Sequence, residues 1–219
     1  MIQKPDFKKA YILANEMLVA AHCISSFPFD AKEFVNEQTD LKFCSYRKAL
    51  EKYGLDCRHL GSDSAELVKK GGRNIVFYNQ DECDIRDPFN RLHETGHFLM
   101  GHKTNIDKDN PLYGIQEVET NFFAAQMLMP LQVLKEIQKR GYKVDKLFLI
   151  KKFGASMPAA EHRVKTLNGR FHLSADEKIF DDIIVEKYRK FIDKVAPKKL
   201  EYSYSCWDDP MQKERDSWY

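Results

Sequence analysis

From Asp6 to His22 apolar residues return every three or four positions, at Ala10, Ile12, Leu13, Met17, Leu18 and Ala21, a spacing that predicts an amphipathic helix. A second helical stretch is expected from about Asp30 to Asn36, and a third from about Ser45 to Lys52, stopped at Gly54. The pattern then changes. The run AELVKKGGRNIVFYN sets two short β-prone segments, Ala65 to Lys69 and Asn74 to Tyr78, around Gly71-Gly72. Paired glycines supply the positive φ that a tight hairpin turn needs. Asp87-Pro88 reads as an N-cap followed by proline at the first helical position, opening a helix to about Gly101. Its buried stripe is Phe89, Leu92, Gly96, Leu99 and Met100. After a polar loop containing Pro111, a helix is expected over about Gln116 to Met129, ended by Pro130. Shorter helices follow at about Leu131 to Arg140, Val144 to Lys152 and Met157 to Leu167. Ser174 and Glu177 form an S-x-x-E capping box for an amphipathic helix reaching about Val195.

These elements predict an α+β fold, mostly helical, with a small β-sheet or hairpin preceding the helix at Pro88. We expect a single domain over 1–219 in three parts: an N-terminal helical lobe (1–60), a core (61–170), and a C-terminal helix and tail (171–219). The chain has 219 residues, 43% of them hydrophobic, enough to bury one sizeable core. There are no internal repeats.

Charge and cysteines remove several classes of function. Lys and Arg number 35 against 33 Asp and Glu, a formal net charge of +2, so nothing global draws the chain to nucleic acid or an anionic membrane. The longest apolar stretch, Phe122 to Leu134, is interrupted by Gln126, Pro130 and Gln132 and falls short of the ~20 residues of a membrane span. The opening MIQKPDFKKAYILANEM threads lysines and acids through its apolar positions, unlike a signal peptide, so a cytoplasmic location is expected. Cys23, Cys44, Cys57, Cys83 and Cys206 are widely spaced without a C-x-x-C pair, which suggests ordinary reduced thiols.

The chemistry concentrates in His93-Glu94-Thr95-Gly96-His97, an H-E-x-x-H segment inside a predicted helix. At about 100° per residue, positions four apart differ by ~40°, so both imidazoles leave one helix face and can meet a single cation. Glu94 lies beside that face, where its carboxylate can act as general base on a water without itself coordinating. Glu117 opens the next helix on the stripe shared with Asn121, Ala124, Ala125 and Leu128, and a carboxylate on an inward face needs a cation. His93, His97 and Glu117 are therefore the expected ligands of one Zn2+ per chain, with Asn121 expected to accept from the other ring nitrogen of a ligand histidine. Three protein ligands leave a position open for water, the mark of a catalytic rather than a structural zinc. Peptide hydrolysis is the expected reaction. His162, Tyr113 and Tyr78 are candidate donors to the oxyanion, and spacing does not choose among them. Asn74, Val76 and Tyr78 are candidates for holding an extended substrate by strand addition.

Other residues have plainer readings. Glu119 lies about 200° around the helix from Glu117 and is expected to face solvent. His102 follows the helix-ending Gly101 and is expected at the surface, while His22, His59 and His172 read as ordinary polar residues. The stretch around Gly154, with His162, Arg163 and Lys165 on its second helix, has the outline of a helix-turn-helix. Its positive charge is too dispersed for phosphate binding, which argues against direct nucleic-acid contact. Two other readings are a DNA-binding regulator with a structural zinc and an antitoxin-like interaction module without proteolysis.

The segments RLHETGHFLMGH (91–102), EVETNFFAAQMLMP (117–130) and, more weakly, FGASMPAAEHRVKTLN (153–168) together resemble the ImmA/IrrE family of metallopeptidases. The resemblance implies a zincin-like core, His93, His97 and Glu117 as metal ligands, and Glu94 as catalytic acid and base. It also implies a protein substrate such as a helix-turn-helix repressor of a phage, mobile element or toxin-antitoxin locus. Thr95 departs from the family's H-E-[LI]-x-H, which concerns packing around the helix. Few residues follow Leu167, so the sensory extension of longer family members is expected to be absent.

Overall fold

The computed structural model describes residues 4–56, 65–81, 88–103, 106–169 and 179–198. Helix α1 (Phe7–Ala20) starts where the Asp6 carboxylate accepts from Lys9 N, and buries Ala10, Tyr11, Ala14, Asn15 and Leu18 along one side. Helix α2 (Ala31–Gln38), capped by Asp30, leads into strand β1 (Lys42–Ser45) and helix α3 (Tyr46–Tyr53). The hydrophobic pattern does not predict β1. It is four residues long and abuts a helix, and its partner lies more than thirty residues away in the chain, running parallel: Phe43 faces Val76 and Cys44 faces Phe77.

Strands β2 (Ala65–Lys70) and β3 (Arg73–Tyr78) form the expected hairpin, turning through Gly71 and Gly72 at φ 59° and 70°. The sheet order is β1-β3-β2, so β3 is central. One side carries Ala65, Leu67 and Val76 into the main core; Cys44 and Phe77 on the other side pack under Ala49 of α3. The segment before residue 60 thus contributes one strand, β1, to this sheet.

Helix α4 (Pro88–Leu99) packs against β2, and Arg91 sets its guanidinium 4.4 Å from the centre of the Phe43 ring of β1. The expected Asp87 cap lies outside the described residues. Helix α5 (Pro111–Leu128) begins more than a turn before the expected Gln116, because Asn110 accepts from Leu112 N and Pro111 takes the first helical position. Helices α6 (Leu131–Lys139), α7 (Lys146–Phe153) and α8 (Met157–Asn168) follow, α7 ending at Gly154 with φ 68°. The expected C-terminal helix is two: α9 (Asp181–Lys187) and α10 (Arg189–Val195), broken at Tyr188. Its proposed capping box, Ser174 and Glu177, lies outside the described residues, as do His59, His172, Cys57, Cys83, Cys206 and the tail beyond residue 198. No described helix is long and apolar enough to cross a membrane.

Helix α5 is the centre of the molecule, packed by α4 on one side and α1 on the other. Beneath it runs a buried polar network. Gln126 donates to Asn15 Oδ1 (2.7 Å) and Gln132 Oε1 (2.9 Å), and accepts from Arg163, whose Nε donates to Met129 O at 2.7 Å. Asp181 completes it, accepting from Tyr11 and Gln132. The C-terminal end of α1 is closed by α9: Lys187 Nζ donates to the carbonyls of Leu18, Val19 and Ala21, and the Tyr188 hydroxyl to Leu18 O.

Arg163 corrects the helix-turn-helix outline. It is 1% exposed and spent on the network, so it cannot reach a phosphate. Replacing Arg163 with Leu leaves Gln126 Oε1 and Met129 O short of a buried donor and should lower the unfolding free energy by about 2–4 kcal/mol, read from urea denaturation. A loss below about 0.5 kcal/mol would show that the network does not hold these helices together.

Candidate metal centre

Helices α4 and α5 approach closely because position 96 is glycine. A Cβ there would lie 3.0 Å from Phe123 Cδ1 and 3.3 Å from Thr120 Cγ2, so even an alanine would require those side chains to shift by a few tenths of an ångström. Glycine inside a helix costs about 1 kcal/mol relative to alanine, and the contact it permits offsets that. Thr95 beside it is fully buried, and its hydroxyl donates to Arg91 O at 2.8 Å. The departure from an aliphatic residue is thereby accommodated without an orphaned polar group.

Across this contact His93 Nε2 and His97 Nε2 stand 3.1 Å apart. The Glu117 carboxylate faces both, at 3.4 Å from His93 and 3.3 Å from His97. Thr120 Oγ1 forms the floor, 3.5 and 3.4 Å from the two nitrogens, with its proton shared between the carbonyls of Gln116 and Glu117. Bonds of about 2.0–2.1 Å in a tetrahedron place neighbouring donors about 3.3 Å apart, and these three fit that spacing. Two bare Nε2 atoms would also direct lone pairs at each other, a conflict that a shared cation removes. His93, His97 and Glu117 could hold a metal ion.

The local electrostatics agree with that use. Burial works against a charged Glu117, but hydrogen bonds to His93 and His97 hold it far below the usual carboxylate range. Burial likewise opposes charge on His93, and the Glu117 hydrogen bond with the nearby Glu94 raises its pKa all the same. Glu94 is raised by burial above all, against the pull of His93 and His97.

The outer ring nitrogens of the two histidines are both engaged. His93 Nδ1 lies 3.1 Å from Asn121 Oδ1, the contact anticipated from the helix spacing. His97 Nδ1 lies 3.0 Å from His102 Nδ1, and His102 Nε2 lies 3.0 Å from Glu119 Oε2. Here two expectations fail. His102 and Glu119, expected at the surface, are each only 8% exposed. Glu119 leaves the Glu117 face of α5, as its azimuth requires, but meets α1 instead of solvent; α5 has two inward sides. His102 is folded back by a Schellman turn, with Gly101 N donating to Phe98 O (3.2 Å) and His102 N to His97 O (3.0 Å). That motif sets the second residue past a helix against the residue five before it, a signal present in the glycine at 101. Burial first, then His97 and Lys9, lower the His102 pKa to about 4.

The remaining candidates divide. Tyr113 lies one turn before Glu117 on α5, and burial followed by Glu117 and Glu94 raises its pKa, keeping the phenol protonated. His162 is exposed on α8, which packs on α6 and α7 rather than on the α4–α5 contact. Tyr78 is half-buried at the end of β3. Strand addition on Asn74, Val76 and Tyr78 has no free edge, because β3 is paired on both sides; Val76 is also fully buried, and Asn74 donates to Asp40.

Each imidazole must be neutral to bind a cation, so protons compete with the ion. The raised pKa of His93 makes that competition begin at higher pH than an ordinary histidine would impose, with uptake lost as pH falls through it. Chelator competition stepped between about pH 8 and pH 5 should show divalent-ion affinity falling steeply. His97→Ala should abolish uptake, and a flat profile would count against this site.

The sequence profile of the peptidase family described as Peptidase_M78, IrrE N-terminal-like domain, matches residues 48–165, just over half of the chain. Neither the curated proteins nor the solved structures contain a match to it. The matched span runs from within α3 to within α8 and encloses both helices that bring His93, His97 and Glu117 together, and on that ground the chain belongs to the IrrE N-terminal-like family of peptidases.

Proposed function

We propose that the chain is a zinc-dependent endopeptidase in which His93, His97 and Glu117 hold the ion, Glu94 is the general base and Tyr113 the oxyanion donor. The convergence of two Nε2 atoms and one carboxylate within 3.1–3.4 Å carries the reading. When bound, zinc supplies a Lewis acid for the scissile carbonyl and lowers the pKa of a water toward neutrality.

The residues of the chain do the rest. Glu94, its pKa raised toward the working range, takes the proton of the attacking water and returns it to the departing amine. The Tyr113 phenol, kept protonated by burial first and then by Glu117 and Glu94, donates to the oxygen of the tetrahedral carbon. Asn121 fixes the ring of His93. An extended substrate would pair along the outer edge of β2, the strand of the hairpin that packs against α4 and, among the described residues, has no neighbour on that side.

The family supports a protein substrate, and the resemblance noted in the motifs supports a helix-turn-helix repressor of a mobile element or toxin-antitoxin locus, cleaved in the cytoplasm. Zinc-loaded protein incubated with a repressor encoded beside it should yield two fragments by intact mass. Glu94→Gln should keep the zinc and slow cleavage at least ~10²-fold. Tyr113→Phe should lower kcat by about 10²-fold with little change in KM. Cleavage at the wild-type rate by Glu94→Gln would overturn the assignment of the base.

A further inference from the structure

The side chains behind His97 form a continuous line that the reaction described above does not use. Zinc held through Nε2 leaves the His97 proton on Nδ1, where the neighbouring atom is His102 Nδ1 at 3.0 Å. His102 Nδ1 must then accept, which puts the His102 proton on Nε2, pointing at Glu119 Oε2 at 3.0 Å. The other oxygen of Glu119 accepts from the backbone N–H of Asp6 at 2.6 Å. Three hydrogen bonds thus link the imidazole of His97 to the N-cap of α1, two donated outward from His97 and His102 and the third donated by Asp6, so that they converge on the Glu119 carboxylate.

The line has supports of its own. The Schellman turn at Gly101 fixes where His102 stands, and Lys9 Nζ donates to Met100 O at 2.7 Å, tying α1 to the last turn of α4. Both His102 and Glu119 are buried at 8% exposure. A carboxylate so buried requires donors, and it receives them from His102 and Asp6.

We propose that His102 and Glu119 are positioning residues for the metal centre, fixing the tautomer and ring plane of His97, and that the Asp6 N–H on α1 anchors them from outside the family-matched span. The arrangement rests on the metal reading given above. It assigns α1, which precedes residue 48, a part in building the site. Such outer contacts are typically worth 10–100-fold in metal affinity.

The decisive variant is isosteric. Glu119→Gln keeps the shape and an oxygen for Asp6 N–H, but its amide NH2 opposes His102 Nε2–H. His102 must then reverse its tautomer and lose the acceptor facing His97. Zinc affinity measured by chelator competition should fall about 10–100-fold, with the apo-protein's thermal midpoint near that of the wild type and the visible bands of the Co2+-substituted protein shifted. His102→Leu should lose at least as much. His102→Asn, whose Oδ1 can replace the accepting nitrogen, should restore part of the affinity. Asp6→Pro removes the N–H and should weaken zinc more than Asp6→Ala, which loses the helix cap and keeps the N–H. Equal zinc affinity and unchanged Co2+ bands in wild type, Glu119→Gln and His102→Leu would overturn the positioning role and leave the metal centre standing. No uptake of zinc by the wild type would overturn both.

Discussion

The close approach of α4 and α5 at Gly96 is the constraint on which the rest depends. Two imidazoles four residues apart are preset by one helix, but the carboxylate that completes the group comes from another, and the two helices meet where Phe123 and Thr120 of α5 pack against the bare Cα of Gly96. Phe123 and Thr120 occupy the space a side chain at 96 would need, and Thr120 also forms the floor under the facing nitrogens. A packing requirement and a chemical one are met by the same contact. The helix pays its glycine cost where the site gains most.

Helix α5 serves two neighbours at once. Toward α4 it presents Glu117, Thr120 and Asn121; toward α1 it presents Glu119; and near its end Gln126 gathers Asn15, Gln132 and Arg163 into a buried network. A helix buried on one side can be read from a single stripe of apolar residues. One buried on several sides carries polar residues inward wherever each finds a partner, and its periodicity is weak.

That distinction explains what was legible in the sequence. His93, His97, Glu117 and Asn121 follow from spacing alone, because each lies within one or two turns of a helix whose phase the apolar residues set. The hairpin was legible in Gly71-Gly72. Glu119 was not, since its angle from Glu117 was correct but the inference from angle to solvent assumed one neighbour. The burial of His102 is not evident from spacing, because Gly101 marks a helix stop and a glycine in that place also reverses the chain onto the last turn. The strand at Lys42–Ser45 was hidden by its length and by a partner remote in sequence, a pairing that no local pattern encodes. The buried role of Arg163 was not legible, because its network partners Gln126 and Met129 come from another part of the chain.

The clasp around α1 has a consequence for what counts as the folding unit. Its start is held by Lys9 and Asp6, and its end by Lys187 and Tyr188 of the C-terminal helices, two stretches that flank the family-matched span on either side. A fragment trimmed to residues 48–165 would retain the motif yet bare the flank of α5 that α1 covers, with Glu119 and Gln126 left facing water. The family likeness therefore covers less of the chain than the buried contacts its helices make, which draw on both flanking stretches.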